Sequence, residues 1–228
     1  MIYYTSDLHI GHFNIIKLTG RKYKTVEEMN GDLIKRWNIK VSPNDDVYIL
    51  GDMFFKFGDI QQVKDILNKL NGKKHLIKGN HDKFLKQLRW QDYFESLDVY
   101  KEIDDNGRMV CLFHYPIEEW NGYYRNSYML YGHVHENMAD IKKHPRKFNV
   151  GVDVNDFEPK TLDELIALNQ TVCDCYHERE VIVGRNGANQ PLTKVVAECL
   201  GTRECDQCTC GGDESKCDFY DDKRNNTK

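Results

Sequence analysis

Short apolar runs alternate with amphipathic stretches through the first half of the chain. Residues 2–6, 46–50 and 75–78 have the apolar character of buried strands. Between these runs, Thr25 opens a Thr-Val-Glu-Glu capping box, and Asp59 precedes a second helical stretch. This alternation predicts parallel strands covered by helices.

Both amphipathic stretches carry apolar residues at helical spacing. In the first stretch these residues are Val26, Met29, Leu33 and Trp37. In the second they are Ile60, Val63, Ile66, Leu67 and Leu70, with Gly72 just past the end. Each stretch therefore predicts a helix with one buried face.

The pattern changes in the middle of the chain. Residues 99–105 and 108–113 flank Asn106-Gly107, a pair that tolerates positive φ and predicts a tight type I′ hairpin. An antiparallel section is therefore expected here. The remaining predicted elements are strands at 127–131 and 148–152 and a capped helix from Thr161 to about Asn169.

The composition is that of a globular protein. Of 228 residues, 30% are charged, and no apolar run approaches the roughly 18–20 residues of a membrane-spanning helix. The N-terminus enters a strand pattern at once, so a cytoplasmic location without a membrane partner is expected. The formal net charge of -4 provides no basic field for nonspecific nucleic-acid binding, and nucleic acid is therefore expected only as a substrate.

Cysteine usage divides the chain into two regions. Seven of the eight cysteines follow residue 170, which predicts a catalytic domain over 1–170 and a Cys-rich appendage over 171–228. Cys111 stands apart in an apolar strand, where it is expected to be a buried small residue. The other cysteines, with His177, are Cys173, Cys175, Cys199, Cys205, Cys208, Cys210 and Cys217.

The appendage is open to three interpretations. Its one CxxC pair is compatible with structural zinc, with free thiols or with disulfides, and a cytosolic setting disfavours the last. Residues 180–183, 186–187 and 191–200 predict a small strand, turn and helix. From about residue 211 the composition becomes polar and charged, and 213–228 is expected to be disordered.

Polar segments rich in Asp, Asn and His follow five of the predicted strands. In chain order they contain Asp7 and His9; Asp52; Asn80, His81 and Asp82; His114; and His133 and His135. Because ligands collect beyond the carboxyl ends of strands in α/β sheets, these segments predict one shared site. Imidazole and carboxylate groups without thiols suit divalent Mn, Fe, Co, Ni or Zn.

At these segments the sequence resembles the calcineurin-like metallophosphoesterases of the compact single-domain type. The family pattern is D-x-H, GD, GNH followed by an acid, a lone His after a strand, and GHxH. All five blocks occur here in order, within about residues 1–155. The resemblance implies a four-layer α/β/β/α sandwich with two mixed β-sheets and a dinuclear metal-dependent phosphoester hydrolase.

The resemblance also implies a role for each residue. Two divalent metals, with Mn preferred over Fe, Zn, Co or Ni, would share a hydroxide that attacks the phosphorus of a phosphodiester or phosphomonoester. One metal would be held by Asp7, His9, Asp52 and His135, and the other by Asn80, His114, His133 and the shared Asp52. His81 would protonate the leaving group, while Asp82 would either orient the His81 ring or cap the segment that follows.

Two other functions are compatible with the sequence. A nuclease acting on DNA or RNA would use the same ligands, but the balanced charge favours a small or exposed ester. A non-catalytic metal-binding scaffold would keep the fold. Such a scaffold would be expected to lose a metal ligand or the acid histidine, and none is missing here.

Three features near the site have a structural as well as a functional interpretation. His12 could face bound phosphate or be an exposed loop histidine. Trp120 and residues 123–125 could stack on a base or clamp a phosphate, although packing is favoured. The basic residues Lys17, Arg21, Lys22 and Lys24 could form an anion-facing rim, although a solvated loop is favoured.

Overall fold

The computed structural model describes residues 1–55, 59–137, 144–170, 176–185 and 191–199. The chain divides into two compact units, Met1–Leu165 and Ile166–Lys228. The first unit contains all five polar segments. The boundary predicted at residue 170 remains a prediction.

The first sheet contains four strands in chain order, and every pairing is parallel. Its members are β1 (Ile2–Thr5), β2 (Asp46–Ile49), β3 (Lys73–Ile77) and β4 (Ser96–Asp98). The alternation in the sequence predicted the first three strands. It did not predict β4, because Leu97 is the only apolar residue of that strand.

Helices α1 (Ile15–Leu18), α2 (Val26–Lys40) and α3 (Ile60–Lys69) follow the first two strands. The Thr25 hydroxyl accepts a hydrogen bond from the Glu28 amide at 3.1 Å, and Asp59 Oδ1 accepts one from the Gln61 amide at 2.8 Å. Both predicted N-terminal caps are therefore confirmed. The stripes of α2 and α3 share one hydrophobic core with the first sheet: Met29, Leu33, Trp37, Val63, Leu67, Val47, Ile49 and Leu76.

The second sheet is mixed. Its strands, in spatial order, are β5 (Tyr100–Asp105), β6 (Arg108–Phe113), β7 (Tyr128–Tyr131) and β8 (Lys147–Asn149). β5 and β6 form the predicted antiparallel hairpin, with φ of 56° at Asn106 and 83° at Gly107. The β6–β7 and β7–β8 pairings are parallel.

Hydrogen bonds join the two sheets. The Ser6 amide donates to the Val150 carbonyl at 3.1 Å, and the Val152 amide donates back to Ser6 at the same distance. The Tyr4 hydroxyl donates to Asp105 Oδ2 at 3.0 Å. Helix α4 (Leu162–Gln170) follows, with the predicted Thr161 cap. The expected α/β sandwich with two sheets is confirmed, although the first sheet is parallel in its four strands.

Beyond the end of α4, the described part of the second unit is an antiparallel pair, β9 (Tyr176–Arg185) and β10 (Pro191–Cys199). The predicted helix at 191–200 is wrong, because β-branched residues such as Val195 and Val196 lie in a strand that pairs with β9. The turn at 186–187, residues 213–228 and the Cys residues other than Cys111 and Cys199 lie outside the described residues. Within the described chain, no helix is long and apolar enough to cross a membrane.

Candidate metal centre

The polar segments extend from the carboxyl ends of five strands, and both sheets contribute. Asp7 and His9 follow β1, Asp52 follows β2, and Asn80 follows β3. The second sheet contributes His114 after β6 and the pair His133 and His135 after β7. The structure therefore brings the predicted residues to one place between the two sheets.

The potential ligands form two groups, Asp7–His9–His135 and Asp52–His114–His133. Within each group, one ligand atom per residue lies within 4.8 Å of the others. Asp52 lies close to both groups. Its Oδ2 is 3.6 Å from Nε2 of His114 in its own group and 3.8 Å from Nε2 of His9 in the first group. Asn80 Oδ1 is 3.0 Å from His114 Nε2 and so lies beside the second group.

The backbone at this site is strained. Five of the predicted ligands have positive φ: Asp7 (55°), His9 (49°), Asp52 (53°), His133 (73°) and His135 (51°). For residues other than glycine, this left-handed conformation costs on the order of 1–3 kcal/mol each and is concentrated at functional sites. The left-handed conformation of these five residues therefore lowers the stability of the fold while it directs their side chains into the site.

Glycines allow the segments to approach one another closely. A Cβ added at Gly79 would lie 2.3 Å from Asp52 Oδ1, and one added at Gly132 would lie 2.5 Å from Asp7 Oδ2. Neither position can hold a side chain without displacing a carboxylate. The glycines that precede Asn80 and His133 are therefore part of the packing that sets the ligand positions.

Gly79→Ala should lower the free energy of unfolding by about 1–3 kcal/mol, because its methyl group would overlap Asp52. Gly31→Ala is the matched control, since Gly31 lies in α2 with open space where its Cβ would be. That substitution should raise stability by about 0.5–1 kcal/mol. Denaturant unfolding of both variants checks the opposite signs, and equal effects would contradict the close packing.

Hydrogen bonds fix the tautomers of two site histidines. His114 Nδ1 lies 2.7 Å from the Leu50 carbonyl, which can only accept, so this nitrogen carries the proton. His135 Nδ1 lies 2.6 Å from Asp153 Oδ2 and is held in the same way. In both rings Nε2 is left to face the site, as is usual for histidines that bind metals.

The Asp153 carboxylate belongs to a buried network that the sequence analysis did not identify. Arg21 Nε donates to Asp153 Oδ1 at 2.7 Å, and Arg21 NH2 donates to Oδ2 at 3.0 Å. Arg21 also donates to the main-chain carbonyls of Asp7 and Leu8. Burial raises the pKa of Asp153, but hydrogen bonds from His135 and Arg21 outweigh it and lower the value to about 2.

The favoured interpretation of Arg21 as a solvated loop residue is wrong. Its side chain is 0% exposed and pairs with Asp153, whose side chain is 1% exposed. The neighbouring Lys22 is 53% exposed and fits the solvated interpretation. Arg21 instead connects the loop after β1 to the residue that holds His135.

Asp82 has partners that the sequence did not suggest. Its buried carboxylate accepts the amides of Asp52 (3.1 Å), Met53 (3.0 Å) and Gly79 (2.8 Å). Burial raises the pKa of this carboxyl more than the three amides lower it, and the net value is about 6. Asp82 neither bonds to the His81 ring nor caps the helical turn that follows. It ties the loop after β3 to the loop after β2.

His81 lies at the open side of the site. Its amide donates to Asp52 Oδ1 at 2.7 Å, and its Nε2 lies 4.0 Å from Asp52 Oδ2. The side chain is 37% exposed, so the ring can be reached from solvent. This position suits a group that exchanges a proton with a bound molecule.

Several buried atoms at the site lack a hydrogen-bond partner among the described residues. Among them are Asp7 Oδ1 and both ring nitrogens of His9. Burial raises the pKa of Asp7, and burial together with nearby cationic groups lowers the pKa of His9 to about 2. A divalent cation would bind the neutral imidazole of His9 and would neutralise the buried carboxylate of Asp7. These residues therefore fit a metal site.

Aromatic rings lie on one side of the site. His12 stacks on Phe55 with ring centroids 3.6 Å apart, and Phe55 is 5.3 Å from His81. His12 is therefore held against a neighbouring ring, and its Nδ1 is buried without a hydrogen-bond partner. The packing interpretation of Trp120 is confirmed, since this residue is buried and donates to Ser127 Oγ at 2.9 Å.

Comparisons with known proteins agree with this arrangement. A family model described as "Calcineurin-like phosphoesterase" matches residues 1–169. The uncharacterized protein MJ1445 of Methanocaldococcus jannaschii is 35% identical over 171 residues, which cover 73% of this chain and 90% of that protein. The Gene 66 protein of Mycobacterium phage D29 is 29% identical over 179 residues, covering 67% of this chain and 87% of that protein.

A solved structure shares the fold. The crystal structure of AQ665, a protein of unknown function from Aquifex aeolicus, is 28% identical with a TM-score of 0.60. The match covers 74% of this chain and 98% of that one. The matches to the two relatives and to AQ665 each cover at least two thirds of the present chain.

Proposed function

Because the chain belongs to the calcineurin-like phosphoesterase family, we propose that it hydrolyses a phosphodiester or phosphomonoester at a centre of two divalent metals. The position of Asp52 supports this proposal most directly. Its Oδ2 lies within 4 Å of a histidine from each ligand group, as a carboxylate shared by two ions requires. We expect manganese to be the bound ion. We also propose that the protein is cytoplasmic.

The chain supplies charge and orientation to such a centre. Asp7 and Asp52 contribute two negative charges, fewer than the four positive charges of two divalent ions, and the remaining ligands are neutral. The site therefore attracts an anionic phosphoester. When bound, the metals would lower the pKa of water to near 7 and stabilise negative charge on the phosphoryl oxygens.

We assign to His81 the protonation of the leaving oxygen. Its ring borders the site and remains partly exposed, so its Nε2 can donate a proton to an alcohol that departs from phosphorus. Asp82 acts on this step indirectly, by fixing the loop that carries His81. Arg21 and Asp153 position His135 and the loop after β1.

A small or exposed ester is the preferred substrate. The net charge of -4 provides no overall basic field of the kind that attracts a polynucleotide backbone to a nuclease. A non-catalytic scaffold is the alternative from another class. Retention of the predicted ligands and of His81 favours catalysis over that role.

Metal restoration tests the proposed function. Metal-free protein should be restored separately with Mn, Fe, Co, Ni, Zn or Mg and assayed on a chromogenic phosphodiester and the matching monoester. We expect turnover with first-row ions, Mn above all, and little with Mg, because imidazole ligands disfavour magnesium. The ratio of the two rates identifies the preferred ester class.

Elemental analysis of the same samples provides the control. About two ions per chain should accompany activity, as a dinuclear centre requires. Two bound ions with neither ester cleaved would favour the scaffold. A centre that stays vacant with every metal would exclude the proposed mechanism.

A further inference from the structure

A cavity of about 250 Å³ adjoins the metal centre, and His81 lines both. His81 Nε2 lies 4.0 Å from Asp52 Oδ2, and the same residue lines the cavity. A group bonded to the oxygen that His81 protonates must extend away from the phosphorus. The cavity occupies space beside His81 where that group can lie.

The interior of the cavity is apolar and aromatic. Phe54, Val63 and Phe84 line it and are buried, and the Phe54 and Phe84 rings meet edge to face with centroids 4.9 Å apart. Phe55 lines the side nearest His81 and is held by its stack on His12. Such rings bind another aromatic ring through edge and face contacts.

The size and the outer wall restrict the occupant further. About 250 Å³ is below the roughly 300–1,000 Å³ of sites for drug-sized ligands, so one ring system fits and a polymer segment does not. The exposed side chains of Lys83 and Gln87 line the outer part. They can donate hydrogen bonds to polar atoms at a ring edge.

We propose that this cavity binds an aromatic ring on the leaving side of the phosphoester, and so makes aryl or nucleoside esters the preferred substrates. The proposal rests on the proposed phosphoester hydrolysis. It assigns Phe54, Phe55 and Phe84 to substrate selection and leaves the chemistry to the metal centre and His81.

Two methyl phosphate diesters test the proposal, one with a phenyl and one with a fluorinated alkyl leaving group of matched acidity. Burial of the ring should raise kcat/KM for the phenyl ester about tenfold over the alkyl ester. Gln87→Trp fills the cavity from an exposed position and should bring this ratio close to one. Lys86→Trp, at the adjacent exposed position outside the cavity, should leave the ratio unchanged.

A nucleoside ester in the same series identifies the source of the ring. A kcat/KM above that of the ribose ester without the base assigns a nucleobase, because Lys83 and Gln87 then contact its polar edge. An equal value assigns a simple aryl group. An equal ratio of phenyl to alkyl cleavage in the unmodified protein and in Gln87→Trp would overturn the proposal.

Binding without turnover separates this proposal from the proposed function. Calorimetric titration of the metal-loaded protein compares phenylphosphonate with methylphosphonate, and the ring should tighten binding about tenfold. Ring-dependent binding that Gln87→Trp removes, without cleavage of any ester, supports the cavity and excludes the hydrolysis. Cleavage of the esters without ring-dependent binding supports the hydrolysis and excludes the cavity.

Discussion

Asp52→Asn should lower kcat for every ester by at least about 10³-fold, because a carboxylate placed to serve both ligand groups loses its charge. The substitution preserves shape, and the asparagine oxygen can still accept the His81 amide. The fold should therefore persist. Steady-state kinetics and metal content of the purified variant check the prediction, and fewer than two ions per chain should remain.

Asp92→Asn provides the matched control for the same change of charge. Asp92 lies at the surface with its side chain 53% exposed and pairs with Arg89. We expect unchanged kcat, because an exposed ion pair contributes little. If Asp52→Asn kept activity within tenfold of the unmodified protein and retained two ions, the shared role of Asp52 would be excluded.

Arg21→Met should lower the free energy of unfolding by about 3–5 kcal/mol in the metal-free protein. This substitution leaves the buried Asp153 carboxylate without its guanidinium partner, and broken buried ion pairs have costs of this size. It also removes the hydrogen bonds to the Asp7 and Leu8 carbonyls. Denaturant unfolding measures the effect, and metal affinity should weaken together with stability.

Lys22→Met is the neighbouring control, and it should change stability by no more than about 1 kcal/mol because Lys22 is exposed. Arg21→Lys keeps the charge but cannot reproduce the forked contacts, so it should recover only part of the loss. A loss below 1 kcal/mol for Arg21→Met would show that the pair does not anchor the loop. If Arg21→Met does not fold, the stability of Arg21→Lys decides the question.

Features set by neighbouring residues could be predicted from the sequence. The Thr25 and Asp59 caps and the Asn106-Gly107 hairpin each depend on a few consecutive residues. The grouping of the polar segments also followed from local patterns, because each segment adjoins a recognisable strand. The family resemblance then supplied the pairing of ligands, which spacing alone could not.

Features that depend on distant partners could not be predicted. Arg21 is separated from Asp153 by 132 positions, so nothing near it in sequence indicates burial. Asp82 likewise binds amides of the loop after β2, and its sequence context suggested only a cap or an orienting role. The positive φ values arise from the packing of the loops. The β-branched residues of β10 are compatible with a strand, but a short apolar run at 191–200 does not by itself distinguish a strand from a helix, and the pairing with β9 shows the outcome.

Both ligand groups are completed by one late segment, since His133 belongs to one and His135 to the other. The group that contains His133 cannot be complete on the nascent chain before residue 133 has been synthesised, nor the group that contains His135 before residue 135. A product terminated before residue 133 therefore has neither group intact.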